Sequence, residues 1–462
     1  MSIGAMFKLG EQKIRPGVFV RWYNAGGYKR YSRPLGVSAA VIKSNWGPIG
    51  EVVTLDTGED VKDKLGTGLG PDVVNEIFEG GASFCHTVRI GTGGQPAEVD
   101  LEAETETVKL RTKYPTSRNF SVTVREALDP ALKEIILFEG TRQIQSLTFA
   151  KGENEASALL EVVNAESKYL TATTAGSGEV EVVINEPLSG GADPDTVGED
   201  YTDGMQHLET KFFDSITVDS EDAIIHAALH AFVRRKIREG YRMTMVVGEK
   251  PDVSFETRKS HAKAFNDFAV VYVGNGVETT TGGIVGATAA ARVLGMLVSG
   301  SYKSSLTKNT ITGGVGLIGE MTSNEYNEAV QSGMMVFSLN PDSIPQIDYG
   351  INTLVSLAED EDEGWQKLRR VRTRYELIDR IAITISKAMA NNIDNGHDGR
   401  QFVIQLANGI IGEMIGEGGL ESGEMIIDPV TSPQGDSAWF KFDNLVDLDG
   451  LEKAYLAFGF QY

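Results

Sequence analysis

The chain has 462 residues, with 43 lysines and arginines against 65 aspartates and glutamates and a formal charge of −22. That length exceeds a single hydrophobic core, so two to four domains are expected, and that charge disfavours nucleic acid as a partner because phosphates would be repelled. The single cysteine, Cys85 in the apolar run FCHTV, excludes an internal disulfide and a cysteine zinc site; no signal-like start and no apolar run of ~18 residues points to secretion or a membrane span.

Residues 1–33 read as an extended arm. Pro16-Gly17 disfavours helix, and VFVRWY has the β-branched and aromatic content of a strand. So short a strand must pair with another edge, in its own chain or in a neighbour. Residues 34–95 open an α/β domain, with strands predicted at GVSAAVIK, EVVTLD and SFCHTVRIG and short helices between. Residues 96–199 change to short alternating runs separated by turn residues, the pattern of an antiparallel sandwich or barrel. Glycine-rich GTGGQP and SGGADPDT flank them, so this unit is read as an insertion into the α/β layer.

Residues 200–350 resume α/β alternation. FFDSITVDS, YRMTMVVGE, AVVYVG and MMVFSLN are predicted strands; EDAIIHAALHAFVRRKIREG, SFETRKSHAKAFNDF and TSNEYNEAVQSG are predicted helices. Residues 351–462 read as an α+β domain. WQKLRRVRT is taken as a strand that alternates basic residues between its faces, TRYELIDRIAITISKAMANNI as a helix, and LEKAYLAFGFQY as a closing edge strand.

Charge is unevenly placed. Residues 1–43 carry a net +7 and residues 413–462 a net −8, which suits head-to-tail contact between identical copies or, more plainly, two solvated surfaces.

Chemistry-bearing patterns are weak. Gly314-Val-Gly316-Leu-Ile-Gly319 fits G-x-G-x-x-G, but a Thr/Asn loop precedes it where a strand is needed, so it is read as a glycine loop. His226 and His230 share a helix face without a third ligand. Asp394 to Asp398 resembles a calcium loop but has Gly396 at position three and Gln405 at position twelve, so a polar turn is favoured. No G-x-S-x-G elbow is present, although a hydrolase on the α/β layer stays open as the second reading. Lys367, Arg369 and Arg370 lead the densest basic cluster, read as a docking face for an acidic partner or a solvated edge. No catalytic residue, metal ligand or cofactor site is assigned.

RPGVFVRWY, SGGADPDTVGEDYTDGMQHLE, AAARVLGMLVSGSYKSSLTKNTITGGVGLIGEMTSNEYNEAVQSGMMVFSLN and INTLVSLAEDEDEGWQKLRRVRTRYELIDRI, in that order, resemble the contractile tail sheath proteins of phages and phage-derived particles, including headless bacteriocins. RWYNAGG departs from the acidic residues more usual there after the PGV-[YF]-V stretch. The resemblance implies a non-enzymatic subunit of stacked hexameric rings around an inner tube. It implies an α/β core of subtilisin-like topology, an inserted β-sandwich, and an α+β carboxy-terminal domain near the tube. It further implies extended arms at both ends that add strands to neighbouring copies, here through Val18, Phe19, Val20 and Trp22 and through Tyr455, Leu456, Phe458 and Phe460. Lys367, Arg369 and Arg370 would face the tube or a neighbour. Implied partners are other copies, the inner tube protein, baseplate and terminator proteins, with no nucleic acid or membrane. The implied location is a virion or particle tail assembled in the bacterial cytoplasm.

Overall fold

Runs of β-branched residues buried on both faces must lie in the middle of a covered sheet. Three such runs, Ser215–Val218, Thr244–Gly248 and Val270–Val273, are buried at every residue. In the computed structural model, which describes residues 5–7, 12–21, 36–56, 61–103, 107–173, 178–390 and 392–461, they form the centre of a seven-stranded sheet. Its order is Met334–Met335, Val270–Val273, Thr244–Gly248, Ser215–Val218, Val37–Ile42, Phe84–Arg89, Val52–Asp56. All neighbours are parallel except the last pair, which is antiparallel.

Strand alternation sends side chains into two cores. Ala39, Val41, Ile216, Met245, Val247 and Tyr272 face helices Ala223–Arg238 and Phe255–Phe265. Ala40, Ile42, Val246, Val271 and Val273 face helices Leu69–Glu79 and Ala287–Ser299. Those last two helices approach closely because their contact is glycine: a Cβ on Gly295 would lie 2.1 Å from the Ile77 carbonyl oxygen. The first-face helix Ala223–Arg238 starts on Asp222, whose carboxylate accepts from the Ile224 amide, and ends in Arg235, Lys236 and Arg238, which complement the helix dipole.

The insertion leaves and rejoins this domain at one place. Thr92 pairs with Asp195 and Gln95 with Ala192 across antiparallel bridges. Beyond them lie a four-stranded sheet (Arg142–Ala150, Leu132–Glu139, Phe120–Glu126, Val183–Pro187) and a three-stranded one (Leu170–Thr173, Val108–Thr112, Glu98–Leu101), sharing one core. Trp46, from the α/β part, is built into that core edge-on to Tyr114 and Phe120, at centroid distances of 5.2 and 5.6 Å. Nearby, buried Arg89 donates to the carbonyls of Ser44, Gly47 and Pro115, tying the two units together.

Several segments differ from their sequence-based expectations. Glu155–Glu166, within a stretch read as all β, is a helix that buries Ala156, Leu159 and Val163, and its Glu155 pairs with buried Lys133 at 2.7 Å. WQKLRRVRT is not a strand: a 3-10 turn, Glu363–Gln366, leads into the helix Leu368–Met389. Its buried Leu368, Val371 and Tyr375 recur at helical spacing, a period masked by the arginines between them. Gly314–Ile318 is a strand paired with Gly276–Thr279 rather than a loop. The polar turn at Asp394 gives way at once to the helix His397–Gly416. Cys85 is buried, and burial pushes its thiol up to about 12.

Candidate functional site

The carboxy-terminal unit is built on two helices, Leu368–Met389 and His397–Gly416. Leu377, Ile381, Val403, Ala407, Ile411 and Met414 form its core with Leu420 and Met425. On this rests an antiparallel pair of strands, Leu420–Ile427 and Phe440–Asp447. Among the described residues no third strand joins it. On the Leu420–Ile427 strand the Asn408 side chain takes both the amide and the carbonyl of Met425, at 2.6 and 3.3 Å, so ladder groups able to pair with another strand lie chiefly along Phe440–Asp447.

After Asp447 the chain runs on without regular structure. Residues 451–461 form no ladder, so the expected closing strand has no partner within the described residues. Tyr455 is 91%, Leu456 77%, Phe458 78% and Phe460 92% exposed. In extended chain, Leu456, Phe458 and Phe460 point to one side, and Tyr455, Ala457 and Gly459 to the other. One face is bulky and apolar; the other is mostly small.

The root of this segment is firmly held. Asp447 accepts two hydrogen bonds from Arg370, Nε to Oδ2 at 2.8 Å and Nη2 to Oδ1 at 3.0 Å, and a third from Arg374 at 3.0 Å. Arg374 also meets Asp362 at 2.8 Å. Burial alone would raise the Asp447 carboxyl, but the Arg370 hydrogen bonds and the charges of Arg374 and Arg370 hold it down at about 2. Five residues on, Glu452 accepts from Ser305 Oγ at 2.8 Å and Thr307 Oγ1 at 2.7 Å, and pairs with the Lys367 ammonium. Burial opposes ionisation here too, and Lys367 with Thr307 outweighs it, lowering the Glu452 carboxyl. Lys367 lies 3.9 Å from the Tyr349 ring centroid.

The basic cluster thus has a different surrounding from that expected. Lys367 and Arg370 side chains are only 16% and 11% exposed, turned onto carboxylates of their own chain. Arg369 is half-buried beside Gly450. An open docking face does not describe the first and third of these. Sequence reasoning had Asp447 and Glu452 only as part of an acidic excess; the signal for their partners was the matching basic excess at 367–374, and their registration needed the fold.

At the other end, Ala5–Met6 pairs in parallel with Phe19–Val20, and Met6 packs against the first core of the sheet. Val18, Phe19 and Val20 are half-buried. Trp22 lies outside the described residues.

His226 and His230, the remaining sequence candidates, have structural surroundings, as does the buried Asp219. His226 is buried with Nε2 2.7 Å from the Ser220 carbonyl, and burial lowers its pKa. His230 meets Asp267 at 2.8 Å. Asp219 accepts from the Tyr201 hydroxyl at 2.6 Å and from the Lys43 amide at 2.7 Å. A cavity of about 190 Å³ lies between the sheet and the long helix, lined among others by Asp214, Arg242, Arg372 and Glu376. No helix among the described residues is long and apolar enough to cross a membrane.

Comparison with known proteins supplies the remaining observations. Residues 196–353 match the phage tail sheath protein central domain, and residues 92–193 the phage tail sheath protein beta-sandwich domain. Together these take in more than half of the chain. The phage-like element PBSX protein XkdK of Bacillus subtilis is 22% identical over 98% of both chains. A crystal structure of a sheath tail protein from Desulfitobacterium hafniense superposes with a TM-score of 0.70 at 19% identity, over 94% of this chain and 100% of that one. The sheath of an extracellular contractile injection system in its contracted state superposes with a TM-score of 0.54 at 11% identity, over 97% and 98%.

Proposed function

From the premise that this chain is a structural protein of the phage tail sheath family and not an enzyme, we propose that it is the polymerising subunit of a contractile sheath. The hydrolase alternative is set aside by that membership. In this reading, copies stack as hexameric rings around an inner tube, bound to a baseplate at one end and a terminator at the other. The particle is a virion tail or tail-like bacteriocin put together in the host cytoplasm. The central layer keeps subtilisin-like topology as architecture only, and the amino-terminal arm through Val18, Phe19, Val20 and Trp22 joins a neighbour.

The observation that carries the reading is the carboxy-terminal end. A segment bearing four large, exposed apolar side chains is poorly solvated, and it lies beside a two-stranded sheet that no third strand joins among the described residues. Strand addition between copies satisfies both. The segment of one copy supplies backbone donors and acceptors, and the sheet edge of another receives them. Each such bond contributes roughly 1 kcal/mol net, so a lattice of many subunits accumulates a large total from modest contacts. Contraction then turns the subunits as rigid bodies on tethers that never detach.

The test is electron microscopy of the purified full chain, alone and with the tube protein, beside a chain ending at Gly450. Striated tubes that shorten on treatment with mild denaturant, absent from the truncated chain, support the reading. Equal tubes from both chains refute the tether, and discrete particles under every condition refute the sheath.

A further inference from the structure

Resting on the sheath reading, we infer that Lys367 and Arg370 are positioning residues: with Ser305 and Thr307 they moor the root of the carboxy-terminal tether to the central domain, so that the tether flexes only beyond Glu452. The four groups come from two separate parts of the chain. Ser305 and Thr307 lie in the loop after helix Ala287–Ser299, whose face is packed on the central sheet. Lys367 and Arg370 open the long helix, where Leu368 is buried in that same core and Val371 in the core of the opposite face. Every anchor is therefore rigidly attached to the central domain.

The mooring has two points. Asp447, the last residue of its strand, receives the planar fork of Arg370 and one further nitrogen of Arg374. A guanidinium held in this two-point geometry fixes direction as well as distance. Glu452 is the second point, with two hydroxyls and an ammonium on it. The five-residue step between them cannot pivot while both hold. Past Glu452 the picture changes at once: Lys453 to Gln461 are exposed and outside every ladder. Lys453 lies over the Tyr349 ring at 5.4 Å, a contact too weak to hold the chain.

The consequence for the machine is specific. A tether hinged at Asp447 would let the sheet of one copy turn independently of where its arm is aimed. A tether hinged after Glu452 makes the central domain aim the arm, so rotation of that domain is passed directly to the neighbour that holds the arm.

The experiment places spin labels on cysteines at Ser386, exposed on the long helix, and Ala457, on the tether, in the full-length monomer; the native Cys85 is buried and does not compete. The distance distribution is recorded for the parent, for Glu452→Gln with Asp447→Asn, and for the charge exchange Lys367→Glu with Glu452→Lys. The expected result is a clear broadening in the neutralised variant, partial return in the exchanged one, and unchanged far-UV circular dichroism in all three. Unlabelled neutralised protein should need about tenfold more subunit to form tubes. Equal distance widths in parent and neutralised protein overturn the mooring whether or not tubes form. Broadening on neutralisation, in a protein whose parent never forms tubes under any condition, retains the mooring and refutes the sheath. Should the double variant fail to fold, Glu452→Gln alone carries the same measurement, since Asp447 still closes the strand.

Discussion

Phe458 is a position where assembly and folding can be separated. In the single chain it is 78% exposed and touches no core cluster, so replacing it with serine removes almost nothing from the monomer. In the proposed lattice a neighbour would cover its ring. Burying a phenylalanine side chain contributes about 1.5–3 kcal/mol, and each 1.4 kcal/mol is a factor of ten in an equilibrium constant. Phe458→Ser should therefore raise the subunit concentration needed for tube growth by roughly 10- to 100-fold. Leu456→Ser and Phe460→Ser, on the same face of the extended segment, should act alike, while Ala457→Ser on the other face should change little. Pelleting of tubes against subunit concentration gives the first quantity, and thermal unfolding of unassembled protein gives the control. The reasoning fails if the monomer melts several degrees lower, which would mean that the ring is packed in its own molecule. It fails equally if tubes grow at the parental concentration.

The same structure sets further expectations. Trp46→Ala should cost about 3–5 kcal/mol at the sandwich junction and split thermal unfolding into two transitions by calorimetry, the sandwich melting first; one coincident, shifted transition would contradict that. Gly295→Ala drives a methyl into the Ile77 carbonyl and should lower central-domain stability by about 1–3 kcal/mol in urea unfolding. Asp447 has its folded pKa depressed from 3.8 to about 2, so its contribution is complete above the unfolded value and is lost as pH falls through the folded one. That contribution is about 2 kcal/mol, and Asp447→Asn should flatten melting temperature against pH between about 4 and 2 while lowering it at neutral pH. Deleting residues 1–23 should leave a folded monomer, slightly destabilised by loss of Met6 from the core, that forms no long tubes in negative stain.

What could be read without coordinates followed the strength of each local signal. Runs such as TMVVG and VVYV hold β-branched residues on both faces, and only a covered parallel sheet accepts them. The helix at Glu155 carries its own apolar period in Ala156, Leu159 and Val163, which a reading of the whole insertion as short alternating strands overrides; what had no local signal is Lys133, a lysine that reads as surface until Glu155 and the Val180 carbonyl close around it. The start of the long helix was misread for a related reason. Arginines at 369, 370, 372 and 374 hide the apolar positions between them, and those arginines are spaced for partners up to about eighty residues away along the chain. Local pattern reports burial; it does not report which distant carboxylate a cation will meet. The charge imbalance between 367–374 and the acidic end was visible all along, yet balance of charge has no geometry. Asp447 becomes a mooring point only because it ends a strand that the two helices beneath it have already placed.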